Sequence, residues 1–175
     1  MEFDRRSIDR LPFHDPDEAG AGPAGAAAPS RDARIRHLQR VPLFSGFEEA
    51  ELRRVAELSR IVEVPAGSEV TQMGAPGDSF FIIVDGTVSV RTPVGATAEL
   101  PPGEFFGEMS LIDGEPRSAT LTGKTDLRLL VVDRIHFWRL LEETPDLMRR
   151  ILALLSRRVR RLEQAAHAPP RTNPA

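Results

Sequence analysis

A carboxylate and an arginine stand nine residues apart in Phe106–Leu121, FGEMSLIDGEPRSATL: Glu108 and Arg117. Gly107, Ser110, Gly114, Ser118 and Ala119 lie among them. This set of types suits a phosphorylated sugar. A phosphate needs a fixed cation and backbone N–H groups that can come close. Arg117 supplies a planar fork matched to phosphate oxygens. A turn beginning at Gly107 can aim amides inward, because glycine has no Cβ and tolerates positive φ. An ionised Glu108 only accepts hydrogen bonds, so it fits a sugar hydroxyl and repels the phosphate. On spacing alone, a salt-bridged surface turn between two strands explains the pair equally well.

The elements that must position these residues change character along the chain. Ala19 to Pro29, AGAGPAGAAAP, holds no large apolar residue to bury, so residues 1–30 read as a disordered tail. Phe3, Ile8, Leu11 and Phe13 offer at most a short docking segment. Ile35, Leu38 and Val41 recur at helical steps before Pro42 stops the helix. A second helix is predicted over Glu48–Arg60, with Leu52, Val55, Ala56 and Ser59 on one face. From Ile61 the period becomes two. Strands are predicted at 61–64, 69–72, 79–84, 87–91, 98–100, 118–122 and 128–132, separated by Gly- and Pro-rich turns. Short strands at this spacing imply a barrel or sandwich. Helix returns after Asp133, a predicted N-cap. A last helix starts at Thr144-Pro145-Asp146 and runs to about Gln164, with residues 166–175 as a second tail.

Composition narrows the function classes. The chain has 175 residues, no cysteine and a net charge of −3. Disulfide and thiol chemistry are excluded. From Arg134 onward nine arginines face four acids, a local +5 that leaves −8 for the rest. No apolar run reaches membrane-spanning length and no apolar leader opens the chain, so a cytoplasmic protein without membrane insertion is expected. The four histidines, His14, His37, His136 and His167, all fall outside the predicted strands. Neither a metal cluster of the cupin type nor a nucleophile–base pair can be assembled, so no metal, no cofactor and no enzyme activity are expected.

The FGE triplet, the short apolar run and the Pro-Arg-Ser-Ala tetrad at 116–119 resemble the phosphate-binding cassette of the cyclic-nucleotide-binding domain family. The turns PAG at 65–67 and GAPGD at 74–78 resemble that family too, and read as structural corners. The resemblance covers about residues 35–163. It implies an α+β fold: an eight-stranded antiparallel β-roll, jelly-roll-like, flanked by N-terminal helices and two C-terminal helices. The domain would span 31–165, with helices at 31–60, the roll at 61–132, the cassette at 103–121 and helices again at 133–165.

By the same resemblance, Arg117, Ser118, Ala119 and the backbone of Gly107, Glu108, Met109 and Ser110 would hold a cyclic phosphate. Glu108 would take the ribose 2′-hydroxyl. The base would lie between a wall formed by Val90, Leu100 and Met109 and a lid drawn from Leu155, Arg157 and Arg158. Sequence position alone favours core for the wall residues and a solvated face for the lid arginines. The implied ligand is cyclic AMP, with cyclic GMP left open. The texture, including GEPRSAT, is that of bacterial channel sensor domains. A receiver without a pore is expected, passing occupancy to a protein partner by movement of its last helix, which also offers a homodimer contact.

The arginine-rich last helix invites a nucleic-acid reading. Cations near a helix C-terminus also complement its dipole, and few residues follow in which to build a recognition helix. No nucleic-acid partner is therefore expected. The remaining rival is a scaffold that kept the fold and lost ligand control. Retention of both Glu108 and Arg117 argues against it.

Overall fold

The computed structural model describes residues 31–95 and 97–166. The tails expected at 1–30 and 166–175 lie outside them, apart from Ala166, which closes the last helix. Helix α1 (Arg31–Leu38) leads into a 3-10 turn (Pro42–Phe44) and helix α2 (Glu49–Glu57). Eight strands follow: β1 (Arg60–Val64), β2 (Glu69–Thr71), β3 (Ser79–Asp85), β4 (Val88–Arg91), β5 (Thr97–Leu100), β6 (Phe105–Phe106), β7 (Thr120–Gly123) and β8 (Leu127–Asp133). Helix α3 (Glu108–Asp113) interrupts them between β6 and β7, and α4 (Arg134–Glu143) and α5 (Pro145–Ala166) complete the domain.

The strands form two four-stranded antiparallel sheets, ordered β1-β8-β3-β6 and β2-β7-β4-β5. The period of two divides the first sheet between two cores. Phe81 and Ile83 on β3, with Leu127, Leu129 and Val131 on β8, point into the roll. Their alternates Phe80, Ile82, Leu130 and Val132 point the other way, into a layer built from α1, α2, α4 and α5. Because both faces of this sheet are covered, its strands read as nearly unbroken apolar runs, FFIIV and LRLLVV. Phe81 stacks on Phe106 inside the roll at 4.8 Å, while Phe80 meets Phe105 and Phe137 on the helical side.

The helix boundaries rest on local chemistry. Glu48 and Glu51 form a capping box at the start of α2. The Asp133 side chain accepts from the His136 N–H and caps α4 as expected. Two elements were absent from the sequence reading. Strand β6 has only two residues, and the cassette segment read as a turn after Gly107 is the six-residue helix α3.

Candidate ligand-binding site

Helix α3 begins and ends on glycine. Gly107 and Gly114 hold φ of 88° and 77°, the left-handed region that other residues enter at a cost. A Cβ on Gly107 would also sit 2.7 Å from the Ser79 carbonyl oxygen and 2.8 Å from the Arg117 guanidinium. The carbonyls at the far end of so short a helix need partners. Arg134 supplies them, donating to Ser110 O at 3.2 Å and Leu111 O at 3.3 Å while also holding Gly77 O and the Asp78 carboxylate.

Arg117 is buried to 4% exposure. Its guanidinium donates to Gly107 O and Ser79 O, each at 2.7 Å, and lies 5.7 Å from the Phe81 ring. Its main chain is clamped to the 74–75 loop, Arg117 N to Ala75 O at 2.9 Å and Gly74 N to Arg117 O at 2.8 Å. The turn that reads as a corner in the sequence thus seats the arginine. A Cβ on Gly77 would overlap the Arg117 guanidinium.

Glu108 follows the residue that Arg117 holds and is equally buried. Burial pushes its carboxyl above the ordinary glutamate range, against the pull of Arg158, its backbone and Arg117. Its Oε1 accepts from Arg158 of α5 at 3.2 Å. The same guanidinium donates to Glu104 Oε2 at 2.9 Å and to the Phe105 carbonyl, and lies 4.4 Å over the Phe105 ring. The last helix is therefore tied to the cassette by one arginine between two carboxylates.

Gly107, Glu108, Ser110 and Arg117 converge here. Ala119 is buried in the roll, with Val90 and Leu100 packed against the same cluster. Met109 and Ser118 are exposed, and the Ser118 hydroxyl contacts the Met109 sulfur at 3.8 Å. Leu155 packs against the helical core. Arg157 borders a cleft with Pro42, Pro101 and Pro102 that Glu104 also lines. Sequence reasoning missed Glu104, Gly77 and Ser79. Gly77 carried a signal in its GAPGD turn; Glu104 carried none, since only the approach of α5 gives it a role.

Residues 61–144 match the family model described as the cyclic nucleotide-binding domain. The chain carries a cyclic nucleotide-binding domain. Over 107 residues it is 44% identical to a cyclic nucleotide-gated potassium channel of Mesorhizobium japonicum, covering 61% of this chain and 30% of the channel. A CRP-like cAMP-activated global transcriptional regulator of Mycobacterium tuberculosis is 32% identical over 129 residues, 71% of this chain and 58% of the regulator. Among solved structures, the catabolite activator protein of Thermus thermophilus aligns with a TM-score of 0.64 and 32% identity, covering 71% of this chain and 61% of that one. The chain thus spans 30% of the channel and 28% of an Aspergillus fumigatus kinase regulatory subunit that it also matches. The fold is the α+β β-roll of these domains, and the helices among the described residues are too short or too polar to cross a membrane.

Proposed function

We propose that this domain is a receiver for cyclic AMP that reports occupancy to a protein partner through α5. The cyclic phosphate would meet Arg117 and the backbone of 107–110. The ribose 2′-hydroxyl would donate to Glu108. The carrying observation is the Arg158–Glu108 contact. Glu108 has two oxygens, so one can hold the ribose while the other holds α5. Ligand and helix then share a single buried carboxylate, and anything that shifts its position is felt by both. Cyclic AMP is favoured over cyclic GMP because the kinase-subunit and regulator relatives carry cAMP in their names.

A thermal-shift titration tests this reading. Cyclic AMP at a hundredfold excess over Kd should stabilise the domain by about 2.7 kcal/mol. The open, more highly charged phosphate of 5′-AMP should add little. Arg117→Ala should remove the shift, since charge-assisted hydrogen bonds contribute roughly 1.5–3 kcal/mol. Equal shifts with both nucleotides would count against the cassette reading, and no shift with either would favour the scaffold.

A further inference from the structure

The cleft beside Arg157 has a volume of about 390 Å³ and takes no part in the cassette. Pro42, Leu43, Pro101, Pro102 and Leu154 make its lining largely apolar. Its charged groups are Glu104, Arg150 and Arg157. Glu104 is already neutralised by Arg158. Arg150 spends its donors on the carbonyls of Leu43 and Ser45, which leaves its charge uncompensated. Among the described residues, neither Arg157 nor the exposed Arg161 makes a hydrogen bond or an ion pair. Arg150, Leu154, Arg157 and Arg161 are spaced four, three and four residues apart, so they share one strip of α5. The cleft is thus an apolar trough with surplus positive charge along one side.

We propose that this cleft is the docking site of the chain's own segment Leu11–Glu18, LPFHDPDE. Charge and apolarity select that occupant. Leu11 and Phe13 stand beside Asp15, Asp17 and Glu18, with no lysine or arginine among them. The flanking pieces offer no such match. Residues 1–10 carry Arg5, Arg6 and Arg10, and residues 19–30 hold neither a charge nor a large apolar side chain. Pro12 and Pro16 also restrict the segment, which lowers the entropy lost on docking. Reach is sufficient. An eight-residue helix such as α1 is about 12 Å long, and the three residues before Pro42 add at most about 11 Å, so Arg31 lies within roughly 25 Å of the cleft. Glycine-rich stretches as long as residues 19–30 span roughly 20 Å on average and about 40 Å at full extension. Such a tether gives an effective concentration of about a millimolar, so a contact too weak to form between separate chains is populated within one. Docked there, the segment ties α5 to the loop that carries Glu104, one of the two carboxylates on Arg158. The proposal does not rest on the nucleotide reading.

Paramagnetic broadening in the full chain tests the contact, using the absence of cysteine from the sequence. A spin label on Ala19→Cys, just beyond the segment, should broaden the amide signals of Leu43, Gly103, Glu104, Leu154 and Arg157. Leu11→Ser with Phe13→Ser should remove that broadening without touching the domain. Arg157→Glu should remove it too. Arg160→Glu makes the same change of charge outside the cleft strip and should leave most of it. Mixing spin-labelled chains with unlabelled, isotope-enriched ones separates contact within a chain from contact between chains, and the first is expected. Cleft signals left sharp in the labelled chain overturn the proposal. So does broadening that persists in the Leu11→Ser, Phe13→Ser variant, that responds equally to the two arginine variants, or that appears only between chains.

Discussion

Gly77 has no side chain, and Arg117 fills the space where one would stand. Its backbone conformation is open to any residue, so Gly77→Ala should leave the fold intact and push the guanidinium off its two carbonyl anchors. Calorimetry should show cyclic AMP affinity weakened by about 1–3 kcal/mol, comparable to loss of a charge-assisted bond. Unchanged affinity would show that the carbonyl-anchored position is not the one that meets the phosphate. Glu108 leads to a pH test. Its carboxyl is raised by burial, and its ionised form is the stronger acceptor for a ribose hydroxyl. Cyclic AMP affinity should therefore fall as pH drops from neutral through that raised value, and Glu108→Gln should flatten the profile. The stability of the unliganded domain should run the other way. A carboxyl whose folded pKa is raised contributes its stability fully below the unfolded value and loses it as pH rises through the folded one. Opposite slopes for affinity and stability identify Glu108; parallel slopes would assign the effect elsewhere.

At the scale of elements, α5 is connected to the cassette chiefly through Arg158, which is about one-fifth exposed between Glu104 and Glu108. Arg158→Ala should free the second half of the helix and leave two carboxylates without that partner. Hydrogen exchange across 157–162 should quicken, with local opening easier by about 1.5–3 kcal/mol. Cyclic AMP should slow exchange there in the parent chain and not in the variant. The same exchange in both, with or without ligand, would sink the coupling. Little of this link was legible beforehand. The strands were, because Phe80–Ile83 and Leu129–Val132 alternate between two buried faces. So was the nearness of Glu108 and Arg117, which follows the cassette spacing, although Glu108 bonds to Arg158 and Arg117 to the carbonyls of Gly107 and Ser79. Helix α3 was not, since EMSLID is too short to show a helical period and its ends are set by two left-handed glycines. Strand β6 is likewise only two phenylalanines, recognisable once β3 is beside them. Arg158 was named only as one of three lid candidates on a helix that reads equally as a solvated face, because its partners lie fifty or more residues away in sequence.

For the whole molecule, the sheet β1-β8-β3-β6 is a wall common to the roll and the helical layer. Leu129 and Leu130 are neighbours on β8, both fully buried, and face opposite cores. Either one replaced by alanine should cost about 2–5 kcal/mol, the range for a leucine truncated in a packed interior. The more telling expectation concerns cooperativity. Far-UV circular dichroism follows the backbone as a whole. Fluorescence follows the helical layer, since Trp138 is the only tryptophan and packs edge-on against Phe137. If the shared sheet makes one folding unit, the two probes should melt together in the parent and in both variants. If the layers were independent, Leu129→Ala would weaken the roll and leave the tryptophan transition in place. Coincident transitions would mean that a ligand held at the β3–β6 edge stabilises α4 and α5 without touching them, by holding the sheet on which they pack.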